Sequence, residues 1–176
     1  MNDPATFRFN VGMTTDLRTL DLNKSQTEPA HDADSEIREI RPADLEDLAQ
    51  LYLASYPPEI GAPDLFEAKA EIEATFAGEF GQLRTSANLI AFHQGTPAGA
   101  ILTVTKSIWD PELSGPFIID LFVSPRYRKQ GIGRALVTSL ISACKAADDT
   151  QISLRVGEGT SSSAYSLYSK LGFVEP

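Results

Sequence analysis

Residues 124–136, "SPRYRKQGIGRAL", combine four basic side chains with two glycines spaced Gly-x-Gly. They follow residues 117–123, "FIIDLFV", an apolar run typical of a central strand covered on both faces. They precede an amphipathic segment that predicts a helix to about Ala147. A glycine turn between a strand and a helix presents unpaired backbone N–H groups at the positive end of the helix dipole. The stretch therefore predicts a site for a phosphate-bearing ligand.

The charge of the whole chain indicates that this anion site is small. The net charge is -9, yet residues 121–147 contain five basic and no acidic side chains, which leaves -14 on the remainder. An acidic protein is a poor general binder of nucleic acid, because phosphate neutralisation needs a broad basic surface. We expect one anion site in an acidic protein that binds no nucleic acid.

Composition narrows the remaining classes of protein. The single cysteine cannot form an internal disulfide, and with two histidines it offers no cluster of zinc-ligand spacing. The N-terminus lacks the basic and apolar regions of a signal peptide, and no apolar stretch is long enough to span a membrane. We expect a cytoplasmic protein without a metal site and without a membrane partner.

The glycine spacing alone leaves alternatives open. No Gly-Lys-Ser/Thr follows the glycines, as a P-loop requires, and no third glycine completes the dinucleotide-binding Gly-x-Gly-x-x-Gly. A helix N-terminus with solvated arginines would also explain a bare Gly-x-Gly. The sequence around the stretch is needed to choose between these alternatives.

The apolar pattern predicts one α/β domain of the α+β type over residues 36–176, with the order β-α-α-β-β-β-α-β-α-β. Residues 1–35 are polar and form an N-terminal extension, either a tail or an added strand; "TFRFNVG" alternates as a half-buried strand would. The predicted elements are strands over "EIREI", "NLIAFH", "AILTV", "FIIDLFV", "QISLRV" and "FVEP", and helices over residues 43–56, 64 to about 80, 132 to about 147, and "SSAYSLYSKLG".

Two motifs resemble one family. "LFVSPRYRKQGIGRALV" is similar to the acetyl-CoA-binding motif Arg/Gln-x-x-Gly-x-Gly/Ala of the GNAT superfamily of N-acetyltransferases, with Arg128, Gly131 and Gly133 in the defining positions. "SSSAYSLYSKLGF" resembles the second motif, although Ser161 stands where the family commonly has asparagine. The resemblance covers residues 36–176 and implies a GNAT-like fold, a mixed central sheet flanked by helices.

The resemblance also implies where acetyl-CoA, the co-substrate, binds. Backbone amides of the glycine turn hold the pyrophosphate, and the pantetheine arm lies in a wedge where the strand "DLFV" splays away from "ISLRV". A backbone N–H near Phe122 or Val123 would polarise the thioester carbonyl. The cofactor-binding residues implied in this way are Leu121, Phe122, Val123, Arg128, Lys129, Gln130, Gly131, Ile132, Gly133, Arg134 and Ser161.

Two residues are candidates for catalysis. The resemblance implies that Tyr168 is the general acid for the departing thiolate; the alternative is a tyrosine packed in the core, as expected for Tyr165 unless it forms a pocket wall. Asp120 is the only carboxylate in its apolar strand, and a buried carboxylate is costly unless paired. We expect it to bind the amine or to accept its proton through water; the alternative is a bond to backbone or to Arg155.

Other candidates concern the acceptor. Glu59 in "YPPEIG" and Glu158 after "QISLRV" are candidate substrate-binding carboxylates. His93 is expected at the surface, and Trp109 and Asp110 line a pocket or cap the hairpin. The family usually continues into a closing strand beyond Pro176. Its place is taken by a partner subunit in a homodimer or by "TFRFNVG", unless the chain is truncated.

The expected function is acetyl-CoA-dependent acetyl transfer to a primary amine, with a small cationic amine as acceptor, by direct attack in a ternary complex. A protein N-terminus or a lysine is the less favoured acceptor. The alternative from another class is a non-catalytic acyl-CoA-binding GNAT-like module, and a more distant one is a binding protein for another phosphate-bearing ligand.

Overall fold

The computed structural model describes residues 16–30, 34–157 and 160–176. Six strands form one sheet in the order β1-β6-β5-β4-β3-β2. The strands are β1 Leu17–Asp21, β2 Ser35–Glu39, β3 Leu89–His93, β4 Thr96–Val104, β5 Phe117–Val123 and β6 Gln151–Arg155. The helices are α1 Leu45–Ser55, α2 Leu65–Ala77, α3 Ile132–Ala146 and α4 Ser162–Lys170, with 3₁₀ turns at Pro42–Asp44 and Pro125–Tyr127. The predicted fold class, a mixed α/β sheet flanked by helices, is confirmed.

The mixed character of the sheet comes from one connection. Strands β2 to β5 and the β1–β6 pair are antiparallel, whereas β5 and β6 are parallel. Parallel neighbours need a crossover, and α3 supplies it. The glycine turn therefore lies at the carboxyl end of β5, where the chain leaves the sheet to enter α3.

Each face of the sheet has its own core. The apolar side of α3 packs on one face together with Tyr168 and Phe173, and α1 and α2 cover the other face. Close approach of α3 depends on Gly99 in β4, where a Cβ atom would lie 3.0 Å from Ile132 Cγ2 and 3.1 Å from the Phe122 carbonyl oxygen. A side chain at position 99 would push α3 away from the sheet.

The ends of α2 show how local sequence sets helix limits. Asp64 caps the helix as predicted, because its Oδ1 accepts a hydrogen bond from the Glu67 amide at 2.9 Å. Gly78 ends it in the left-handed conformation with φ of +83°. The helix therefore stops at Ala77, earlier than the predicted end near residue 80.

Both ends of the predicted element order differ from the structure. Residues of the N-terminal extension form β1, which pairs antiparallel with β6 from Leu17↔Arg155 to Asp21↔Gln151. The strand predicted over "FVEP" is reduced to a single bridge between Val174 and Thr19. The edge of β6 where the family's closing strand was expected is thus covered by β1. "TFRFNVG" lies outside the described residues.

The start of α1 is held to β2 by a buried ion pair. Asp44, 6% exposed, accepts hydrogen bonds from Arg38 Nη1 at 2.8 Å and Nη2 at 2.7 Å and from the Arg41 amide at 2.7 Å. The bonds from Arg38, followed by that from Arg41, outweigh the opposing effect of burial and lower the pKa of Asp44 below its ordinary value of 3.8. The ionised carboxylate is therefore the form that stabilises the fold.

We expect Asp44→Asn to lower the free energy of unfolding at pH 7 by about 2 kcal/mol, because charge-assisted hydrogen bonds are lost. A carboxylate whose pKa is lowered by folding stabilises the folded state at pH values above its unfolded pKa. This stabilisation is lost as the pH falls through the folded pKa. The difference between wild type and variant should thus be constant above about pH 5 and shrink below 3.8. Urea unfolding at several pH values measures it; a difference that grows on acidification would contradict the assignment.

Candidate active site

A bulge in β5 sets which way its side chains face. Leu102 of β4 pairs with Asp120 and the next residue, Thr103, pairs with Ile118, so Ile119 is the extra residue. Ile119 packs in the core beneath α1 and α2. Asp120 contacts Tyr56, which comes from the same side of the sheet. Leu121 then packs toward α3 and α4. The bulge thus places the Asp120 carboxylate on the α1 and α2 side of the sheet. Regular alternation along β5 would have placed it on the opposite side.

Asp120 is bonded to a residue that the sequence did not indicate. Its Oδ1 accepts a hydrogen bond from the Tyr56 hydroxyl at 2.6 Å. Tyr56 directly follows α1, and its ring packs edge-on against Tyr52 with centroids 5.2 Å apart. Arg155, the expected alternative partner of Asp120, instead forms an ion pair with Asp110. The Asp120 carboxylate is half-buried, and the Tyr56 hydroxyl is one of the groups that orient it.

The carboxyl end of β5 separates from β6, as predicted. Only two residue pairs join these strands, Phe117↔Ser153 and Ile118↔Leu154. Beyond Ile118 the remaining backbone of β5 makes no ladder with β6. Leu121 and Val123, the residues implied to bind pantetheine, lie along this open part. We name the gap between residues 119–123 and the end of β6 the wedge.

The N-terminus of α3 opens beside the wedge. Gly131 caps the helix in the left-handed conformation with φ of +85°, and no side chain caps the helix. A Cβ atom at Gly131 would meet nothing within 4 Å, and one at Gly133 would lie 3.7 Å from Leu167 and Val123. The first N–H groups of α3 thus have no side-chain cap, and the space beside Gly131 is open, which fits a pyrophosphate.

The side chains of the predicted cofactor set have different surroundings. Lys129, Gln130 and Arg134 are exposed, whereas Ile132 is buried in the core, so only its main chain can face a ligand. Gln130 Nε2 donates to the Arg126 carbonyl at 3.2 Å. The Arg128 guanidinium donates to the carbonyls of Val123 and Ser55.

Tyr168 lies in the core and beside a cavity. It is 6% exposed, and its ring packs edge-on against Phe173 with centroids 5.5 Å apart. It lines a cavity of about 340 Å³ formed by α4, β1 and the residues after α4. Burial, and to a lesser extent the negative charge of Asp120, raise the pKa of Tyr168 well above its ordinary range. Tyr168 thus keeps its proton at physiological pH, as a general acid requires.

Other predicted residues have separate positions. Ser161 caps α4, because its Oγ accepts from the Ala164 amide at 3.1 Å. Glu59 is exposed in the turn after α1, and Glu158 lies outside the described residues. Tyr165 is 42% exposed, and its hydroxyl accepts from Arg18 Nη2 at 2.6 Å.

The remaining sequence candidates serve the fold. His93 is half-buried and not at the surface as expected; its ring lies 5.2 Å from that of Tyr127. Trp109 packs against Phe117 with ring centroids 6.2 Å apart. Asp110 is 2% exposed and pairs with Arg155, so it does not line a pocket.

The thiol of Cys144 does not take part in the site. It is buried in α3, and burial raises its pKa to about 12. A thiol that is protonated and enclosed is a poor nucleophile. Across the described ranges, no three His, Cys, Asp or Glu side chains form a cluster suited to a metal ion, and no helix is both long and apolar enough to cross a membrane.

Comparison with known proteins gives one family match. The model of the Acetyltransferase (GNAT) family matches residues 45–173, which include the bulged strand, the glycine turn and Tyr168. A search of curated protein sequences found no match.

Solved structures share the fold at low sequence identity. A GCN5-related N-acetyltransferase from Sphaerobacter thermophilus is 16% identical with a TM-score of 0.66; the match covers 90% of this chain and 47% of that one, so this chain spans about half its length. The ribosomal-protein-S18-alanine N-acetyltransferase from Escherichia coli is 22% identical, TM-score 0.60, with 81% and 79% covered. AAC(6')-Iy, in complex with the bisubstrate analogue CoA-S-monomethyl-acetylneamine, is 20% identical, TM-score 0.60, with 83% and 92% covered.

Proposed function

The chain belongs to the GNAT acetyltransferase family, whose model matches residues 45–173, and on that premise we propose that it transfers an acetyl group from acetyl-CoA to the primary amine of a small cationic molecule. The transfer is direct, within a ternary complex. The observation that carries this proposal is that the open N-terminus of α3 and the wedge meet at the end of β5, the strand that contains Asp120. Tyr168 on α4 supports it, because the negative charge of Asp120 contributes to its raised pKa.

The co-substrate fits the open parts of the site. The amides of residues 128–134 would hold the pyrophosphate, and the main chain of Leu121 and Val123 would pair with the pantetheine arm. Acetyl-CoA supplies an acetyl group activated as a thioester. Because the thiol of Cys144 is enclosed and its pKa is raised to about 12, no acyl-cysteine route is open to this chain, which favours direct transfer.

Asp120 and Tyr168 divide the proton transfers between them. Asp120 attracts the ammonium group and takes its proton through water, which leaves a neutral amine to form the C–N bond as the C–S bond breaks. Tyr168 donates its proton to the departing thiolate, and the second proton, which the nitrogen releases as the amide forms, returns to the Tyr168 phenolate through water. The negative charge of Asp120 contributes to the raised pKa of Tyr168. An ammonium group beside Asp120 would offset this contribution and make the phenol a better acid.

Charge supports a cationic acceptor. Outside the basic segment of residues 121–147 the sequence carries -14. A field of this sign raises the local concentration of a cation while the basic turn retains the phosphates. Glu59 and Glu158 are proposed as further carboxylates toward the amine, and the cytoplasm as the compartment.

Turnover of acetyl-CoA, followed as free thiol release, tests the proposal against polyamines, aminoglycosides, amino acids and short peptides. Turnover with one class of cationic amine supports it and identifies the acceptor. Turnover only with peptides would move the acceptor to a protein N-terminus or lysine. Tight CoA binding without turnover on any amine would favour the non-catalytic acyl-CoA-binding module.

Asp120→Asn is expected to lower kcat/KM for a cationic amine by roughly 10- to 100-fold, because the charge that attracts and deprotonates the ammonium is removed. Asparagine keeps an oxygen that can accept from Tyr56, so the strand should keep its shape. The Kd for CoA should change by less than about twofold. Steady-state kinetics and calorimetry measure the two quantities.

Glu73→Gln is the matched control, since it removes one carboxylate charge from an exposed position on α2. If both variants lose the same small share of kcat/KM, the effect of Asp120 is one of net charge, and its assignment to the acceptor fails.

A further inference from the structure

The side chain of Arg128 leaves the glycine turn and joins two other elements. Its Nε donates to the Val123 carbonyl at 3.0 Å, and its Nη2 donates to the Ser55 carbonyl at 2.6 Å. Val123 is the last residue of β5 and Ser55 is the last residue of α1. One guanidinium thus links the turn, the central strand and the end of a helix on the opposite face of the sheet.

The contact with Ser55 is favourable on electrostatic grounds. The last carbonyls of a helix have no partner within the helix and carry the negative end of its dipole. The bond from Arg128 satisfies one of these carbonyls in α1. The Ser55 hydroxyl points the other way and donates to the Leu51 carbonyl at 2.6 Å, so the final turn of α1 is fixed from both sides.

Tyr56 connects the end of α1 to Asp120 on the proposed acceptor side of the site. It is the residue after Ser55, and its hydroxyl holds Asp120 Oδ1 at 2.6 Å. Its ring also packs against Phe122, with centroids 6.3 Å apart. The position of the Asp120 carboxylate therefore depends on where α1 ends, and the end of α1 is held by Arg128.

We propose that Arg128 is a positioning residue that couples occupancy of the glycine turn to the placement of Asp120 through Ser55 and Tyr56. This inference rests on the proposed function, in which the turn binds the pyrophosphate and Asp120 binds the amine. A phosphate that fixes the turn also fixes the Arg128 main chain, and hence both carbonyls to which its guanidinium donates. The acceptor site then becomes ordered when the co-substrate is in place.

The test compares Arg128→Met with Arg126→Met, which removes the same charge from the same segment. Calorimetry gives the Kd for CoA, steady-state kinetics gives the KM for the amine, and amide hydrogen exchange follows residues 51–61 with and without CoA. Both variants should weaken CoA binding to a similar extent. Only Arg128→Met should raise the amine KM, by roughly tenfold, and abolish the CoA-dependent slowing of exchange.

Two further variants separate positioning from general loss of structure. Arg128→Lys restores one carbonyl contact and should recover part of the amine KM. Tyr56→Phe combined with Arg128→Met should raise the KM little more than either change alone, because both act on Asp120 through one connection.

Equal behaviour of the two methionine variants in amine KM and exchange would overturn the inference, as would full additivity with Tyr56→Phe. Exchange is measured without turnover. A wild type that binds CoA, slows exchange at residues 51–61 and acetylates no amine would therefore refute the proposed function alone, whereas a wild type that binds no CoA would refute both.

Discussion

Tyr168→Phe is expected to lower kcat for acetyl transfer by roughly 10²- to 10⁴-fold, the range for loss of a general acid. The change removes only the hydroxyl, so packing of the ring against Phe173 is retained and the fold should be unaffected. The Kd for CoA should stay within about twofold of wild type, because the phenol acts on charge that develops as the thiolate leaves. Stopped-flow thiol release and calorimetry measure the two effects.

Tyr165→Phe makes the same deletion one helical turn earlier. Its hydroxyl bonds to Arg18, so loss of this group should change kcat by far less. If the two variants lose activity equally, Tyr168 acts through packing of α4 and a different group protonates the thiolate.

Asp110→Ala is expected to lower the free energy of unfolding by about 3 kcal/mol, since Arg155 loses the carboxylate with which it forms a buried ion pair. The Asp110 side chain is 3% exposed and its partner Arg155 is 25% exposed, so water relieves part of the penalty. The loss of the hydrogen bond from Ser107 Oγ, 3.0 Å from Asp110 Oδ2, adds to the effect. Urea unfolding measures the change.

The double variant Asp110→Ala with Arg155→Met supplies the control. It lacks both members of this ion pair, and it should recover a substantial part of the stability lost by Asp110→Ala. A double variant less stable than the single one would show that Arg155 stabilises β6 by contacts other than its ion pair.

Much of the fold was predictable because local pattern and burial agree there. The run "FIIDLFV" coincides with β5, and the glycine turn, α3 and α4 follow where the sequence indicates them. β1 was not predictable, because Leu17 and Leu20 are three residues apart and break strand alternation. The structure explains the spacing: Leu17 packs on the α1 and α2 side and Leu20 packs on the α3 and α4 side, so the strand is covered on both faces.

The site was predictable in its motif residues and not in their partners. Tyr168 and Asp120 stand out by resemblance and by a lone charge in an apolar strand. The partnership of Asp120 with Tyr56 depends on the bulge at Ile119, and the near-continuous apolar run of β5 lacks the alternation that would reveal its register with β4. The direction of the Arg128 side chain likewise depends on where α1 ends in space.

The pairing of β1 with β6 has a consequence for the order of events during synthesis. Residues 17–21 are synthesised well before their partners at residues 151–155. The hairpins of β3, β4 and β5 join neighbours in sequence and can form first, at little cost in loop entropy. β1 therefore stays unpaired with β6 until residues 151–155 have been made, and closing that long loop completes the sheet.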